Sequence, residues 1–173
     1  AAISACVGAI ANFTNTSTVT GTNPITSYTW NFGDGSAIST QTNPAHTFTA
    51  PSTYSVKLIA TTAFCIDSIT QTVLVNLKPV ANFVFSPTVA CPPFAVSFSN
   101  TSINNTSSFW SFGPSPTATS NLSNPGFTYQ NNTQTFLNYT VSLIVGTGSG
   151  CSDTISKPIS VRPRPVADFT TTG

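Results

Sequence analysis

The stretch TWNFGDGSAISTQTNPAHTF, residues 29–48, holds a tryptophan, two phenylalanines, a Gly-Asp-Gly turn and an Asn-Pro pair. It could be a phosphate loop, a metal site or the folding motif of a β-domain. A phosphate loop contains a lysine and is followed directly by a helix. This stretch contains no lysine, and no helix is predicted after it. Calcium takes six to eight oxygen ligands, whereas Asp34 is the one carboxylate in the stretch. We therefore predict a turn, because glycine tolerates positive φ and aspartate bonds its own turn backbone.

The same pattern returns roughly 85 residues later, in the same order and with small insertions or deletions between the matches. In the second copy Pro114 and Ser115 stand where the first has Asp34 and Gly35, so a ligand role for Asp34 is not repeated. The matched pairs are ACVGAIANFTNTS (5–17) with ACPPFAVSFSNTS (90–102), TWNFG (29–33) with FWSFG (109–113), TNPAHTF (42–48) with SNPGFTY (123–129), TYSVKLI (53–59) with NYTVSLI (138–144), CIDSITQTVLV (65–75) with CSDTISKPISV (151–161), and PVANF (79–83) with PVADF (165–169).

Each repeat carries one pair of cysteines at matching positions. One pair per repeat argues for the disulfides Cys6–Cys65 and Cys91–Cys151 over the two other pairings. Zinc is the rival explanation, but two isolated cysteines per repeat, with no CxxC and a single histidine in the chain, make a poor ligand set. We therefore predict two structural disulfides and no metal site, which implies an oxidising compartment.

The strand pattern predicts an all-β fold. Tyr54, Val56 and Leu58 alternate with polar residues, and Tyr139 begins the same alternation in the second repeat. Short strands of this kind, separated by Gly, Pro and Asn clusters and with no helical periodicity, are typical of one β-sandwich per repeat. We expect two tandem sandwiches, residues 1–78 and 79–164, and we interpret residues 165–173 as the first strand of a further repeat.

TWNFGDGS, NPAHTF and APSTYSVKLIATT, in this order, resemble the PKD (polycystic kidney disease) domain. The resemblance implies tandem immunoglobulin-like β-sandwiches, a fold found mostly as extracellular modules of surface proteins and secreted hydrolases. It also implies that the aromatic-and-turn run builds the fold. The residues of this fold signature are Trp30, Phe32, Gly33, Asp34 and Gly35, with Trp110, Phe112 and Gly113 in the second copy. Ser52 and an insertion around residues 130–135 depart from the family pattern.

Composition excludes several classes of function. The net charge is +1 and 5% of the residues are charged, so the sequence gives no electrostatic reason to expect binding to nucleic acid or to an anionic membrane. No apolar run approaches the length of a membrane helix. The lone histidine, His46, aligns with Phe127, so we expect a structural role for it. We predict no catalytic residues, no enzyme activity and no cofactor, because paired acid–base chemistry has no evident residues here.

Two further features bear on function. Asp67-Ser68-Ile69 and Asp153-Thr154-Ile155 recur two residues after the second cysteine of each repeat and resemble the O-glycosylation site of Bacteroidetes-type exported proteins. Ser68 and Thr154 are the candidate acceptors. The alternative is an aspartate that caps the start of the last strand, with the isoleucine pointing inward.

The second feature is the phase of the repeats. Ala1 aligns with Ser86, so repeat one lacks a counterpart of Pro79–Phe83, and Val166, Ala167, Asp168 and Phe169 repeat that strand after the second domain. Two explanations remain open. The chain is a slice of a longer covalent array, or this segment pairs into repeat one of a neighbouring subunit, which would build an open-ended filament.

The leading hypothesis is a non-catalytic structural or adhesive module of a long bacterial cell-surface protein or extracellular filament. Its partners would be other copies of the same repeat and, if it is an adhesin, surface polysaccharide. The alternative is an accessory spacer or carbohydrate-binding module of a secreted hydrolase. Sugar stacking needs an exposed aromatic residue, and we expect both tryptophans to be buried, which leaves Phe109 as the candidate.

Overall fold

The long strands form where polar and apolar residues alternate, because successive side chains of a strand point to opposite faces. In the computed structural model, which describes residues 3–115 and 117–171, every regular element is a β-strand. Val56 and Leu58 are buried while Ser55 and Lys57 are exposed, and Val141 and Leu143 repeat this on the matching strand. The described chain divides into two compact units, Ala1–Leu77 and Lys78–Gly173.

Unit 1 is a sandwich of a four-stranded and a two-stranded sheet. The strands are β1 (Ile3–Cys6), β2 (Ile10–Asn12), β3 (Ile25–Asn31), β4 (Ala45–Thr47), β5 (Ser52–Thr62) and β6 (Ile66–Asn76). The first sheet has the order β1-β6-β5-β3, with β1 parallel to β6 and the other pairs antiparallel, and β2 pairs with β4 in the second. The core between the sheets contains Ala11, Phe13, Trp30, Phe32, Phe48, Val56, Leu58, Val73 and Val75.

Unit 2 repeats this architecture, and each of its sheets has one strand without a counterpart among the described strands of unit 1. The strands are β7 (Phe83–Ser86), β8 (Phe94–Asn100), β9 (Ser107–Ser111), β10 (Thr119–Ser120), β11 (Gly126–Tyr129), β12 (Leu137–Gly146) and β13 (Ser152–Val161). One sheet has the order β10-β9-β12-β13 and the other the order β11-β8-β7. Its core is larger and richer in aromatic rings, among them Phe83, Phe94, Phe98, Trp110, Phe112 and Tyr129. The predicted all-β fold of tandem sandwiches is confirmed.

The two units differ most at their first strand. In unit 2, β7 pairs antiparallel with β8, and Phe83 faces Asn100 across the ladder. In unit 1, β1 instead pairs in parallel with the end of β6, where Ile3 faces Val73 and Cys6 faces Asn76. In unit 2, β8 lies between β11 and β7, whereas its counterpart β2 in unit 1 pairs with β4 alone among the residues that the structure describes. The edge of β2 that corresponds to the β7 edge of β8 is therefore unpaired in that part of the chain.

Candidate functional site

The Gly-Asp-Gly segment forms the turn that follows β3. Gly33 and Gly35 both have positive φ, at 78° and 82°. A Cβ atom at Gly33 would lie 2.6 Å from the backbone oxygen of Ser55, and one at Gly113 would lie 2.8 Å from that of Thr140. Gly33 and Gly113 are therefore needed for close backbone contact with the neighbouring strand, as well as for their left-handed conformation.

Asp34 holds this turn together. Its Oδ1 accepts hydrogen bonds from the Ser36 amide at 3.1 Å and the Ser36 hydroxyl at 2.5 Å, and its Oδ2 lies 2.7 Å from Nε2 of His46. Burial acts to raise the pKa of the Asp34 carboxyl, but the hydrogen bonds from Ser36 and His46 outweigh it and lower the pKa to about 2. The carboxylate is thus ionised and fully used by its own turn and by β4.

His46 occupies an aromatic position of the fold. Its ring stacks on Phe32 at a centroid distance of 4.0 Å, and in unit 2 Phe127 stacks on Phe112 at 4.6 Å. Nucleophilic catalysis would need a hydroxyl or thiol bonded to the histidine, whereas the Ser36 hydroxyl donates to Asp34. In the described part of the chain no three His, Cys, Asp or Glu residues form a group that could hold a metal.

Both tryptophans lie in the cores. Trp30 is 6% exposed and Trp110 is fully buried. Each indole N–H donates to a backbone carbonyl, that of Gln41 at 3.1 Å and that of Leu122 at 2.9 Å, so neither nitrogen is left without a partner. Neither ring is therefore available as a platform for sugar stacking.

The disulfide pairing predicted from the repeat is wrong for unit 1. Cys65 is an exposed free thiol. Cys6 ends β1 opposite Asn76, the last residue of β6, while Cys65 precedes Ile66, the first. An eleven-residue strand spans roughly 35 Å, and bonded cysteines have Cα atoms within about 7 Å of each other. The two cysteines of unit 1 therefore lie at opposite ends of the sandwich.

The same correction applies to unit 2, where Cys91 is an exposed free thiol. Cys91 comes shortly before β8, whose first residue, Phe94, packs on Tyr129, and Tyr129 stacks on Tyr139 near the start of β12. Cys151 instead follows the far end of β12. Cys6 and Cys151 are each in the disulfide-bonded form. Equivalent positions in two repeats showed that the cysteines correspond but did not show which of them meet.

The recurring aspartates have different partners in the two units. In unit 2, Asp153 accepts the backbone N–H of Ala81 at 2.9 Å and pairs with Lys78 Nζ at 3.1 Å. The hydrogen bond from Ala81 and the pairing with Lys78 lower the pKa of the Asp153 carboxyl. In unit 1, Asp67 accepts the N–H of the adjacent Ser68. The sequence analysis did not predict that Asp153 anchors this segment. Two features of the sequence could have indicated it: the aspartate recurs in both repeats, and a basic residue precedes each Pro-Val pair.

The candidate glycosylation acceptors are exposed strand residues. Ser68 lies on β6 opposite Ile59, and Thr154 lies on β13 opposite Ile144. The isoleucines that follow them differ, because Ile155 packs against the core of unit 2 while Ile69 is 56% exposed. The inward isoleucine of the alternative interpretation is thus found in unit 2 and not in unit 1.

The exposure of Ile69 belongs to a larger feature of unit 1, which we call the open groove. It is a cavity of about 510 Å³. Its apolar wall includes Phe13, Trp30, Val56, Leu58, Ile69 and Val73, and its polar rim includes Thr16, Ser17 and Asp67. A groove of this volume, apolar with a few polar groups at its edge, is typical of a ligand-binding site.

The segment predicted to pair with a neighbouring subunit is accessible. Val166, Ala167, Asp168 and Phe169 follow β13 and lie outside the strands of unit 2. Val166 is 73% exposed and Phe169 is 85% exposed. Both apolar side chains are therefore accessible to another molecule.

These features define a tandem β-sandwich module with an open edge in its first unit. Residues 1–75 match the model of the PKD domain family, which confirms the resemblance for the first repeat. The PKD1 domain of the Vibrio cholerae metalloprotease PrtV is 29% identical, over 49% of this chain and 98% of that one, with a TM-score of 0.39. The PKD1 domain of Vibrio anguillarum Epp is 28% identical, over 51% and 99%, with a TM-score of 0.42.

A structure of carbohydrate-binding modules from the β-sandwich superfamily is 27% identical, over 50% of this chain and 35% of that one, with a TM-score of 0.43. None of the curated proteins compared with the chain matches it. Within the described residues there is no helix that is long and apolar enough to cross a membrane.

Proposed function

We propose that the chain is a non-catalytic structural or adhesive module of an extracellular array or filament on a bacterial cell surface. One observation carries the proposal: the residues of the signature motif are used within the fold. Asp34 and His46 bond each other, Trp30 and Trp110 fill the two cores, and Gly33 lies against a strand backbone. These contacts stabilise the fold, which supports a structural role for the motif.

The β-ladder of unit 1 supports a load-bearing role. Because β1 is parallel to β6, a pull between Ile3 and Asn76 slides the two strands along each other and loads their four residue pairs together. The experiment is force spectroscopy of the full chain, comparing wild type with Ala5→Pro, which removes a backbone donor at the centre of this ladder. We expect one of two unfolding events to occur at lower force in the variant. Two unchanged events would show that the ladder bears no load.

The extracellular array itself is tested on source cells. An antibody against this chain should label intact cells in immunogold electron microscopy, and mild protease treatment without lysis should remove the label. Labelling that appears only after lysis would overturn the proposal. A pull-down with surface polysaccharides tests the adhesive role and the alternative, an accessory module of a secreted hydrolase. Phe109, 42% exposed on β9, is the residue to replace if a sugar binds.

Glycosylation of Ser68 and Thr154 belongs to the same proposal. Both hydroxyls are exposed on a surface with few charges, where attached glycans would keep the module soluble. Intact mass spectrometry of protein from the source cell is the measurement, with Ser68→Ala and Thr154→Ala as variants. A native mass equal to the sequence mass would end this part of the proposal.

A further inference from the structure

Unit 2 shows how a first strand closes this sandwich. Phe83 of β7 is fully buried, with its ring 5.1 Å from Trp110 in an edge-to-face contact. The segment before it is held by Asp153, which binds the N–H of Ala81 and the ammonium of Lys78. An apolar anchor at the first residue of β7 and a charged anchor just before it thus hold the start of the strand.

Between these anchors, the backbone of Asn82, the residue before β7, is held by the amide of Thr101 and the hydroxyl of Ser102. The N–H of Asn82 donates to Ser102 Oγ at 2.9 Å, and the carbonyl of Asn82 accepts the N–H of Thr101 at 2.9 Å and the Ser102 hydroxyl at 3.0 Å. These bonds satisfy the polar backbone of Asn82 at the edge of the sheet.

The open groove of unit 1 is lined by the counterparts of these residues. Trp30 corresponds to Trp110 and Asp67 to Asp153, while Thr16 and Ser17 correspond to Thr101 and Ser102. All four line the groove. The site that β7 fills in unit 2 is therefore preserved in unit 1, with its anchors in place and no strand upon it among the described residues.

We propose that the open groove binds a β-strand, and that its occupant is the segment 165–169 of a second copy of this chain. The segment reads PVADF, against PVANF for the residues that lead into β7. In the register of β7, Phe169 lies opposite Asn15 and places its ring against Trp30. The apolar side of the new strand then covers Ile69, which is 56% exposed in the open groove.

Charge complementarity supports this occupant. Arg164 stands where Lys78 stands before β7, so it pairs with Asp67 as Lys78 pairs with Asp153. The N–H of Ala167 takes the place of the Ala81 N–H and donates to the same carboxylate. Asp67 has no basic partner in unit 1 among the described contacts, so the incoming arginine supplies one.

This inference deepens the proposed array, since it names the contact between copies. A donor segment on one unit and an acceptor groove on the other make a heterologous contact, which extends from copy to copy. The first experiment is sedimentation velocity of the full chain over a range of concentrations. Every sample carries Cys65→Ser and Cys91→Ser, because these exposed thiols can cross-link, while Cys6 and Cys151 keep their disulfide-bonded form.

We expect concentration-dependent association that Phe169→Ser weakens at least tenfold, because the variant removes the apolar anchor. Phe64→Ser is the matched control, since Phe64 is 82% exposed and lies outside the groove lining. Equal association of the two variants would overturn the proposal. A wild-type chain that stays monomeric at every concentration would also overturn it. If residues 166–169 of that monomer were protected from hydrogen exchange, the segment would bind within its own copy.

A peptide of residues 164–171 tests the groove directly. It should bind the full-length Phe169→Ser chain, whose own donor is inactive, and the same peptide with serine at position 169 should bind at least tenfold more weakly. Asp67→Lys should abolish binding of the wild-type peptide, and a peptide with Asp in place of Arg164 should restore it. Absence of peptide binding, or binding that ignores the charge swap, would overturn the proposed occupant.

A self-complemented chain separates this inference from the proposed function. Fusing residues 78–85 directly ahead of Ala1 places a β7-like strand in phase with unit 1. The fusion is expected to be monomeric and to unfold at a higher temperature than the wild type. Association that persists in the fusion would overturn the groove as the contact site, while surface labelling of source cells would still stand as support for the array.

Discussion

Replacing Gly33 by alanine should strongly destabilise unit 1. The new Cβ atom would lie 2.6 Å from the Ser55 oxygen and 3.2 Å from both the carbon and the nitrogen of that residue. These are backbone atoms of β5, which is paired on both sides. The clash therefore cannot be relieved by a rotamer change and must shift a central strand.

The magnitude has two parts. An alanine held at positive φ costs about 1–2 kcal/mol, and forcing an extra methyl group into a packed site costs about 1–3 kcal/mol more. The free energy of unfolding should therefore fall by about 2–5 kcal/mol in total. For a unit of this size each kcal/mol lowers Tm by about 4–8 °C, so we expect a drop of at least about 8 °C in the transition of unit 1.

Gly35→Ala is the matched control. Gly35 has φ of 82°, but no atom lies within 4 Å of the place that the new methyl group would take, so only the conformational cost of about 1–2 kcal/mol applies. Calorimetry of the full chain measures both transitions, and tryptophan fluorescence reports on Trp30 and Trp110. Equal Tm losses for Gly33→Ala and Gly35→Ala would show that the close contact with Ser55 does not limit stability.

Three further predictions concern polar contacts. Tyr129→Phe should lower the stability of unit 2 by about 1 kcal/mol in urea unfolding, because the buried hydroxyl donates to the Phe112 carbonyl and burial raises its pKa. Unit 1 has Phe48 at the corresponding position. A much larger loss would therefore mean that the ring packing had changed. The pKa of Asp34 is about 2 against an ordinary 3.8, so its contribution of about 1–2 kcal/mol is present above pH 4 and disappears as the pH falls towards 2; Asp34→Asn should flatten this part of the pH–stability curve, and an unchanged curve would contradict the assignment. Asp153→Ala should expose the amide of Ala81 to faster hydrogen exchange by removing its acceptor, whereas exchange at the wild-type rate would show that Asp153 does not hold this segment.

The parts of the fold that depend on local pattern were predictable. Alternation over residues 54–60 and 139–145 marks a strand with one buried face, and the buried residues are those expected. The turn at Gly33 was predictable for a similar reason, because glycine and aspartate determine their own backbone geometry. The partner of Asp34 was not predicted. His46 lies twelve residues away, and only the position of β4 against the turn brings the two side chains together.

The repeat alignment did not predict the disulfide pairing of the cysteines. Matching positions correctly identified Cys6 with Cys91 and Cys65 with Cys151 as counterparts. Whether two cysteines meet depends on which end of a strand each occupies, and that follows from sheet pairing. The parallel alignment of β1 with the end of β6 separates Cys6 from Cys65, and no count of cysteines contains this information.

By itself, the sequence determined that the chain forms two β-sandwiches with tryptophan cores, because burial periodicity and turn chemistry act over a few neighbouring residues. Only the tertiary structure decided which thiols stay free, that Asp153 anchors the segment before β7, and that unit 1 presents an open groove. Each of these depends on residues that are far apart in the chain, as Ala81 and Asp153 are at a separation of 72 positions. Such contacts are set by how the sheets pair and stack, which local patterns do not specify.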